Sequence, residues 1–471
     1  MDLLALISPL IIGAAIIVIL LPENSLRGIW LILTVCLGTG IGLGITSSTI
    51  FVWLGMIGSP NMGYFTAELS LALILSLLAF YRFRHSQSGN LNKDSALNGE
   101  ANCAGIQWLK RIFVILLVIS VFSFVIKAVF NNPHGIFDAW TGWNYRARWM
   151  FRGGDQWMFA FARVSIGDSP DYPLLLTGSI FRMWKILGND YVAVPIMLAT
   201  IFTFGSILML FFSIAELRGK NQGYLAAMFM FISTQFFNVG SYQYGDVPLA
   251  FFILSTLILM SLQDYCPRLS YRIAFLTGLA ASCAAWTKNE GLLFLVLVGL
   301  VQFIGQPGKT DWSNIIKVFS SFLSGLAFVL VTLIYFKLKF APANDLISHD
   351  NIEKLGTYLF DTDRYLLVLT AILKKIFTFN EGIVWLMIVY LLISGFNKSR
   401  FPDKRILSYL ILMFLMLCGY FLSYLISPHD VGWHIGSSIR RLLIQLWPSW
   451  VFLFFYCVQG PEKSVVKARY R

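Results

Sequence analysis

Apolar residues fall in long blocks along this chain, at 3–21, 28–48, 67–83, 112–130, 191–215, 221–239, 247–264, 272–287, 291–306, 314–337, 381–396, 406–427 and 441–458. A helix needs roughly 20 apolar residues to cross about 30 Å of hydrocarbon, and most of these blocks approach that length. They predict an all-α polytopic membrane protein with about 13 transmembrane helices. The run 173–187 is shorter and carries Arg182 and Lys185, so it is read as a re-entrant or interfacial helix.

Loop charge sets the orientation. With 173–187 not crossing, the basic breaks 82–111, 216–220, 264–272, 306–317 and 396–405 and the tail 459–471 share one side, which the positive-inside bias makes cytoplasmic. About 20 of the 36 Lys and Arg then lie inside and about 13 outside, the latter mostly on two long loops. The chain divides into N-terminal transmembrane helices at 1–84, a polar cytoplasmic linker at 85–110, and a body at 111–471. The outer loops of that body are 131–172, 338–380 and 428–440. Segment 362–379 has apolar residues at helical spacing with charges near its ends, and is read as lying in the membrane interface. Gly38, Gly40, Gly42 and Gly44 put small residues along the second block and predict close helix packing. Met1-Asp2 gives no basic leader region, so the first helix is expected to be retained.

Composition agrees with a lipid solvent. The chain is 57% hydrophobic and 13% charged, with a mean hydropathy of +0.71, whereas soluble domains carry about a quarter charged residues. A net charge of +12 does not point to nucleic acid, because the cations sit in short breaks between apolar runs and no groove-reading or base-stacking module is present. The six cysteines form no CxxC pair, so neither a disulfide nor a zinc site is expected. There is also no glycine loop of the P-loop or dinucleotide type.

The informative stretch follows the 112–130 block. It holds Asp138, Trp140, Trp143, Asn144, Arg146, Arg148 and Trp149, then Gly153-Gly154-Asp155-Gln156-Trp157, then Asp171-Tyr172-Pro173. An interfacial aromatic belt accounts for the Trp and Tyr but not for Asp138. A carboxylate beside hydrocarbon needs partners, and Arg146 and Arg148 are near in sequence. Two readings stand: a structural ion pair, or a general base beside an anion-binding arginine pair.

The pattern D-A-W-x-x-W-N-x-x-A-R at 138–148, with G-G-D-x-W at 153–157 and D-Y-P-L-L at 171–175, resembles bacterial membrane glycosyltransferases of the GT-C superfamily. These are relatives of protein O-mannosyltransferases and lipid A aminoarabinose transferases. The likeness covers about 55 residues tightly and the helix layout after residue 112 loosely. It implies a catalytic aspartate in the first large outer loop, here Asp138, and a second acid at the outer end of a later helix, here Asp246. It also implies transfer of a sugar, with inversion, from a polyprenyl-phosphate carrier to a glycan, lipid or protein acceptor of the cell envelope. The expected location is the bacterial inner (plasma) membrane, with the site on the extracytoplasmic side and membrane lipids around it.

Asp246 precedes an apolar run with Pro248 in its first turn, so helix capping is its structural alternative. Lys288 and Glu290 lie in a short charged hinge, either a solvated turn or groups for phosphate and sugar hydroxyl. Arg440 and Arg441 open the last block against the charge bias, as they would to hold a carrier phosphate. With Arg146, Arg148, Trp143, Asp171 and Tyr172 they complete the expected substrate-binding set. No cofactor is required. A divalent metal has no clear ligand set, since His429, Asp430 and His434 lack metal spacing. A transporter or flippase of a lipid-linked saccharide, or a polysaccharide polymerase or ligase, is the alternative class. The first would show repeats and helices broken at mid-membrane, and none is evident.

Overall fold

The computed structural model describes residues 2–22, 26, 28–86, 104–162, 170–304, 312–347, 349–397 and 404–460. Every apolar block becomes helix. In chain order the α-helices are α1 (Asp2–Leu20), α2 (Ile29–Met56), α3 (Met62–Ser86), α4 (Ala104–Val125), α5 (Asn144–Arg152) and α6 (Leu175–Leu187). Next come α7 (Ala193–Arg218), α8 (Lys220–Ile232), α9 (Thr234–Ser241), α10 (Asp246–Tyr265), α11 (Ser270–Thr287) and α12 (Asn289–Ile304). The chain closes with α13 (Trp312–Lys339), α14 (His349–Phe360), α15 (Thr362–Thr378), α16 (Ile383–Ser394), α17 (Lys404–Leu425) and α18 (Val431–Cys457). Among the described residues the only β contact is the isolated bridge Phe396 to Val458. The chain is an all-α multi-pass membrane protein. Most of the linker predicted at 85–110 lies outside the described residues.

Eight of these helices are long and apolar enough to cross a bilayer, or nine if α15 and α16, bent by 68°, form one span. Five of the thirteen hydropathy blocks do not reach this standard on their own, each falling short in unbroken helix length or in apolar character. The block 221–239 is one such case: it breaks at Ser233 into α8 and α9. Asn380, in a left-handed turn between α15 and α16, fills the break by accepting from the Gln235 N–H (3.1 Å) and donating to Ser233 Oγ (2.6 Å). Freed backbone groups at a broken helix need such partners in a low-dielectric interior.

The glycines of α2 pack as their spacing predicts. A Cβ at Gly38 or Gly42 would strike the backbone of α1 at Ala14 or Pro9, and one at Gly40 or Gly44 would strike Phe251 of α10 or Cys283 of α11. The helix is thus wedged between the N-terminal helices and the centre of the body. Without a hydrophobic driving force between helices in lipid, such close backbone approach supplies the dispersion contacts that hold them. At the centre is α10, buried along its whole candidate span.

Helix α6, of 13 residues, reaches about 20 Å and is too short to cross. It is buried from Leu175 to Trp184. Its Arg182 is paired with Glu68 of α3, donating Nε to Oε2 at 2.9 Å and Nη2 to Oε1. Tyr64 donates to the same carboxylate at 2.9 Å, and Arg182 also reaches Ser8 of α1 at 2.7 Å. Both ions are almost wholly buried. Removing one partner of such a pair costs about 3–5 kcal/mol because the survivor is left uncompensated, whereas replacing both by apolar groups is often near neutral. Arg182→Met should therefore lower the melting temperature in detergent strongly, and Arg182→Met with Glu68→Leu should recover most of the loss. Equal melting temperatures for Arg182→Met and wild type would refute this account of how α6 is held.

Candidate active site

Two segments a hundred residues apart meet at one end of α10. The turn after α4 carries Gly135 in a left-handed conformation, where a side chain would strike Ala139 and the Tyr242 carbonyl. That close approach lets the Ile136 N–H bond to Tyr242 O at 3.3 Å. Asn144 then donates to Gln243 Oε1 at 2.8 Å, and Gln243 donates to Pro133 O at 3.0 Å. Trp143 lies flat against Gly245, where any side chain would collide with its ring. This clasp sets Asp138, just ahead of a π-helical turn at Ala139–Trp143, beside Asp246.

Arg441 of α18 joins the two carboxylates. Its Nη2 lies 2.5 Å from Asp138 Oδ2 and its Nε 3.1 Å from Asp246 Oδ2. Lys288, between α11 and α12, lies 2.9 Å from Asp246 Oδ1 and 3.0 Å from Glu290 Oε1. Gln445, one turn beyond Arg441, donates to Asp246 Oδ1 (2.6 Å) and Glu290 Oε1 (3.1 Å) and accepts from Tyr420 (2.7 Å). Asp246 is wholly buried and accepts from three side chains, yet its own helix is capped by Gly245 with no side-chain bond. Capping, the structural alternative for this residue, is not its role, although its place at the helix N-terminus still favours the negative charge.

A second layer supports the first. Tyr172 stacks on Trp143 (centroids 5.6 Å apart, 17° between planes), and the Lys288 ammonium lies 5.2 Å from the Tyr172 ring centre. Asp171 accepts from Asn289 (2.7 Å) and Asn344 (2.8 Å), while Lys337 donates to its carbonyl (2.6 Å) and to Asn289 Oδ1 (2.7 Å). These contacts fasten the 170–174 segment to α12, α13 and the loop after α13.

The arginine assignments need correction. Neither Arg146 nor Arg148 pairs with Asp138. Arg146 is buried, donates to Tyr172 O at 2.7 Å and lies over Trp143, so it braces the aromatic pair. Arg148 pairs with Asp190 at 2.8 Å together with Arg152. Arg440 points away from the cluster to the exposed side of α18. Helix geometry gives the reason: adjacent residues are about 100° apart, so only one of Arg440 and Arg441 can face inward.

Electrostatics separate the groups. Burial raises the Asp138 carboxyl above the usual carboxylate range; Arg441 pulls it back, Asp246 pushes it up again, and the net is upward. Burial alone would lower Lys288, but Asp246 and then Glu290 outweigh it and hold the ammonium charged, well above the ordinary lysine value.

The cluster forms one wall of a cavity of about 860 Å³ that includes Asp246, Lys288, Glu290 and Arg441. Asp138, although paired with Arg441, is not among the residues that line this cavity. Leu292 and Leu293 of α12, Leu422 of α17 and Ile426 just after it give the cavity an apolar flank. His434 and Ser438 line it too. Among the described residues no three His, Cys, Asp or Glu side chains gather as a metal site would require.

Sequence reasoning missed Gln445, Tyr420, Asn289, Lys337 and Asn344, and weighed His434 only as a metal ligand rather than as part of the cavity wall. One signal was available: His434, Ser438, Arg441 and Gln445 recur every three or four residues, a polar stripe on an otherwise apolar helix.

Residues 169–336 match the family model described as dolichyl-phosphate-mannose-protein mannosyltransferase. The matched segment holds Asp171, Tyr172, Asp246, Lys288 and Glu290, while Asp138, Lys337 and Arg441 lie outside it. Neither the curated proteins nor the solved structures gave a match. The match covers 168 of the 471 residues and, with the all-helical membrane architecture, supports the resemblance to membrane glycosyltransferases of the GT-C superfamily.

Proposed function

We propose that the protein transfers a sugar from a polyprenyl-phosphate carrier to a cell-envelope glycan, lipid or protein acceptor at the outer membrane face, with inversion at the anomeric carbon. The observation that carries this reading is the Arg441 bridge. It joins two carboxylates from separate segments beside a cavity that is polar at the cluster and apolar between α12 and α17. The apolar flank suits an isoprenoid tail and the cationic pair Lys288 and Arg441 suits a phosphate.

In this reading Asp138 takes the proton from an acceptor hydroxyl as that oxygen bonds to the anomeric carbon. The bond from that carbon to the phosphate oxygen breaks, and its electron pair leaves on the carrier phosphate. A phosphate is a good leaving group and needs charge neutralisation more than protonation, so one base suffices, unlike glycoside hydrolysis. Arg441 has two parts to play, because an incoming phosphate competes with Asp138 for its guanidinium. The competition frees Asp138 and raises its basicity as the donor arrives. Asp246, held by three donors, fixes Arg441 and Lys288 rather than reacting.

Removing a positioned base typically costs about 10²–10⁴-fold in turnover. Asp138→Asn, assayed in lipid with labelled polyprenyl-phosphate sugars and a membrane extract as acceptor, should lose that much while binding polyprenyl phosphate at least as tightly as wild type, because the competitor for Arg441 is gone. Wild-type transfer by the variant would remove Asp138 as the base.

The pH profile gives a second check. Only the deprotonated carboxylate is active, so the rate rises with pH through the folded-state value of Asp138. Burial has moved that value upward, so the acid limb of kcat/KM should lie above the ~3.9 of free aspartic acid. The residual rate of Asp138→Asn should lack this limb; the same limb in the variant would assign it to another group.

A further inference from the structure

Arg440, turned away from the cavity, has company. Helix α15 packs along α18, and the charges of Arg440 and Lys374 bear directly on Lys375. Arg440 and Lys374 are exposed and Lys375 is half-buried. Among the described residues none of the three has an acidic partner. Three cations held together without an anion repel one another, and that arrangement persists most readily where an anion from outside completes it.

Their depth can be read from neighbours. Helix α15 begins beside the turn after α17, where Arg364 donates to Ser427 O at 2.5 Å and to Tyr424 O at 3.2 Å. It ends where Phe379 meets Trp447 and Asn380 fills the break at Ser233. The trio lies between these levels, at the height of Arg441 and the outer ends of the spans. Leu369, Leu373 and Phe377 are exposed on the same helix. A band of cations edged by exposed apolar side chains is the composition of a surface seated at the headgroup level of a bilayer.

We propose that Lys374, Lys375 and Arg440 form a docking surface for the phosphate headgroups of anionic phospholipids in the outer leaflet. The site is separate from the cavity, none of whose lining residues belongs to the trio. It also explains why these cations stand on the side of the membrane that the loop-charge bias disfavours. The occupant is a lipid of the bilayer, not the sugar carrier.

The test uses the full-length protein in nanodiscs of phosphatidylcholine containing a minority of phosphatidylglycerol. Native mass spectrometry counts the lipids retained on wild type and on the triple variant Lys374→Gln, Lys375→Gln, Arg440→Gln. Wild type should retain phosphatidylglycerol over phosphatidylcholine, and the triple variant should lose that preference about fivefold or more. Lys374→Arg with Lys375→Arg should keep it, since the charge is unchanged. The exposed single variants Lys374→Gln and Arg440→Gln should each lose part of it, which keeps the test intact if the triple variant folds poorly. An unchanged preference in the triple or in both single variants overturns the proposal. So does loss of bound undecaprenyl phosphate with phosphatidylglycerol retention unaltered, which would assign the trio to the carrier.

Discussion

A carboxylate withdrawn from water keeps its charge only if a cation or hydrogen-bond donors stand against it. That requirement governs this molecule. Asp246 is fully buried at the start of the most buried helix, and Arg441, Lys288 and Gln445 converge on it from helices far apart in the chain. The arrangement of α10, α11, α12 and α18 around one carboxylate is therefore a condition of burying it at all. Asp138 is attached to this frame through Arg441 and keeps more freedom, being partly exposed and held by a single cation.

The surroundings of the cluster divide the work. Arg146, Trp143 and Tyr172 are stacked and braced through backbone carbonyls, which fixes the approach of the 170–174 segment. Asp171 with Asn289, Asn344 and Lys337 ties that segment to the opposite wall of the cavity. Functional groups must be held to within a fraction of an ångström, and packed aromatics with satisfied polar partners achieve this better than loops alone.

Much of the fold was legible because hydrocarbon imposes a simple rule on sequence: long apolar runs must be helices. Fine details obeyed other constraints. The break at Ser233 depends on Asn380, about 150 residues away, and no local pattern announces it. The two aspartates were legible because acids beside apolar runs are costly and conspicuous. Their partners were not. Proximity in sequence suggested Arg146 and Arg148 for Asp138, whereas the tertiary fold brings Arg441 from the last helix. Asn289, Asn344 and Lys337 were hidden for the same reason, since each looks like an ordinary residue at a helix end until Asp171 is seen between them.

The Glu68 and Arg182 pair also bears on how the chain is made. The two residues are 114 positions apart, so at about 5–20 residues per second the ribosome emits the arginine roughly 6–23 s after the acid. During that interval α3 must be accommodated by the insertion machinery with an acid that has no counter-ion, an unfavourable segment to release into lipid. Assembly of the first three helices is thus left incomplete until α6 emerges and closes the pair, and biogenesis acquires an order. The N-terminal helices wait for the segment that leads from Asp171 and Tyr172, so a nascent chain stalled before residue 182 should remain associated with the translocon.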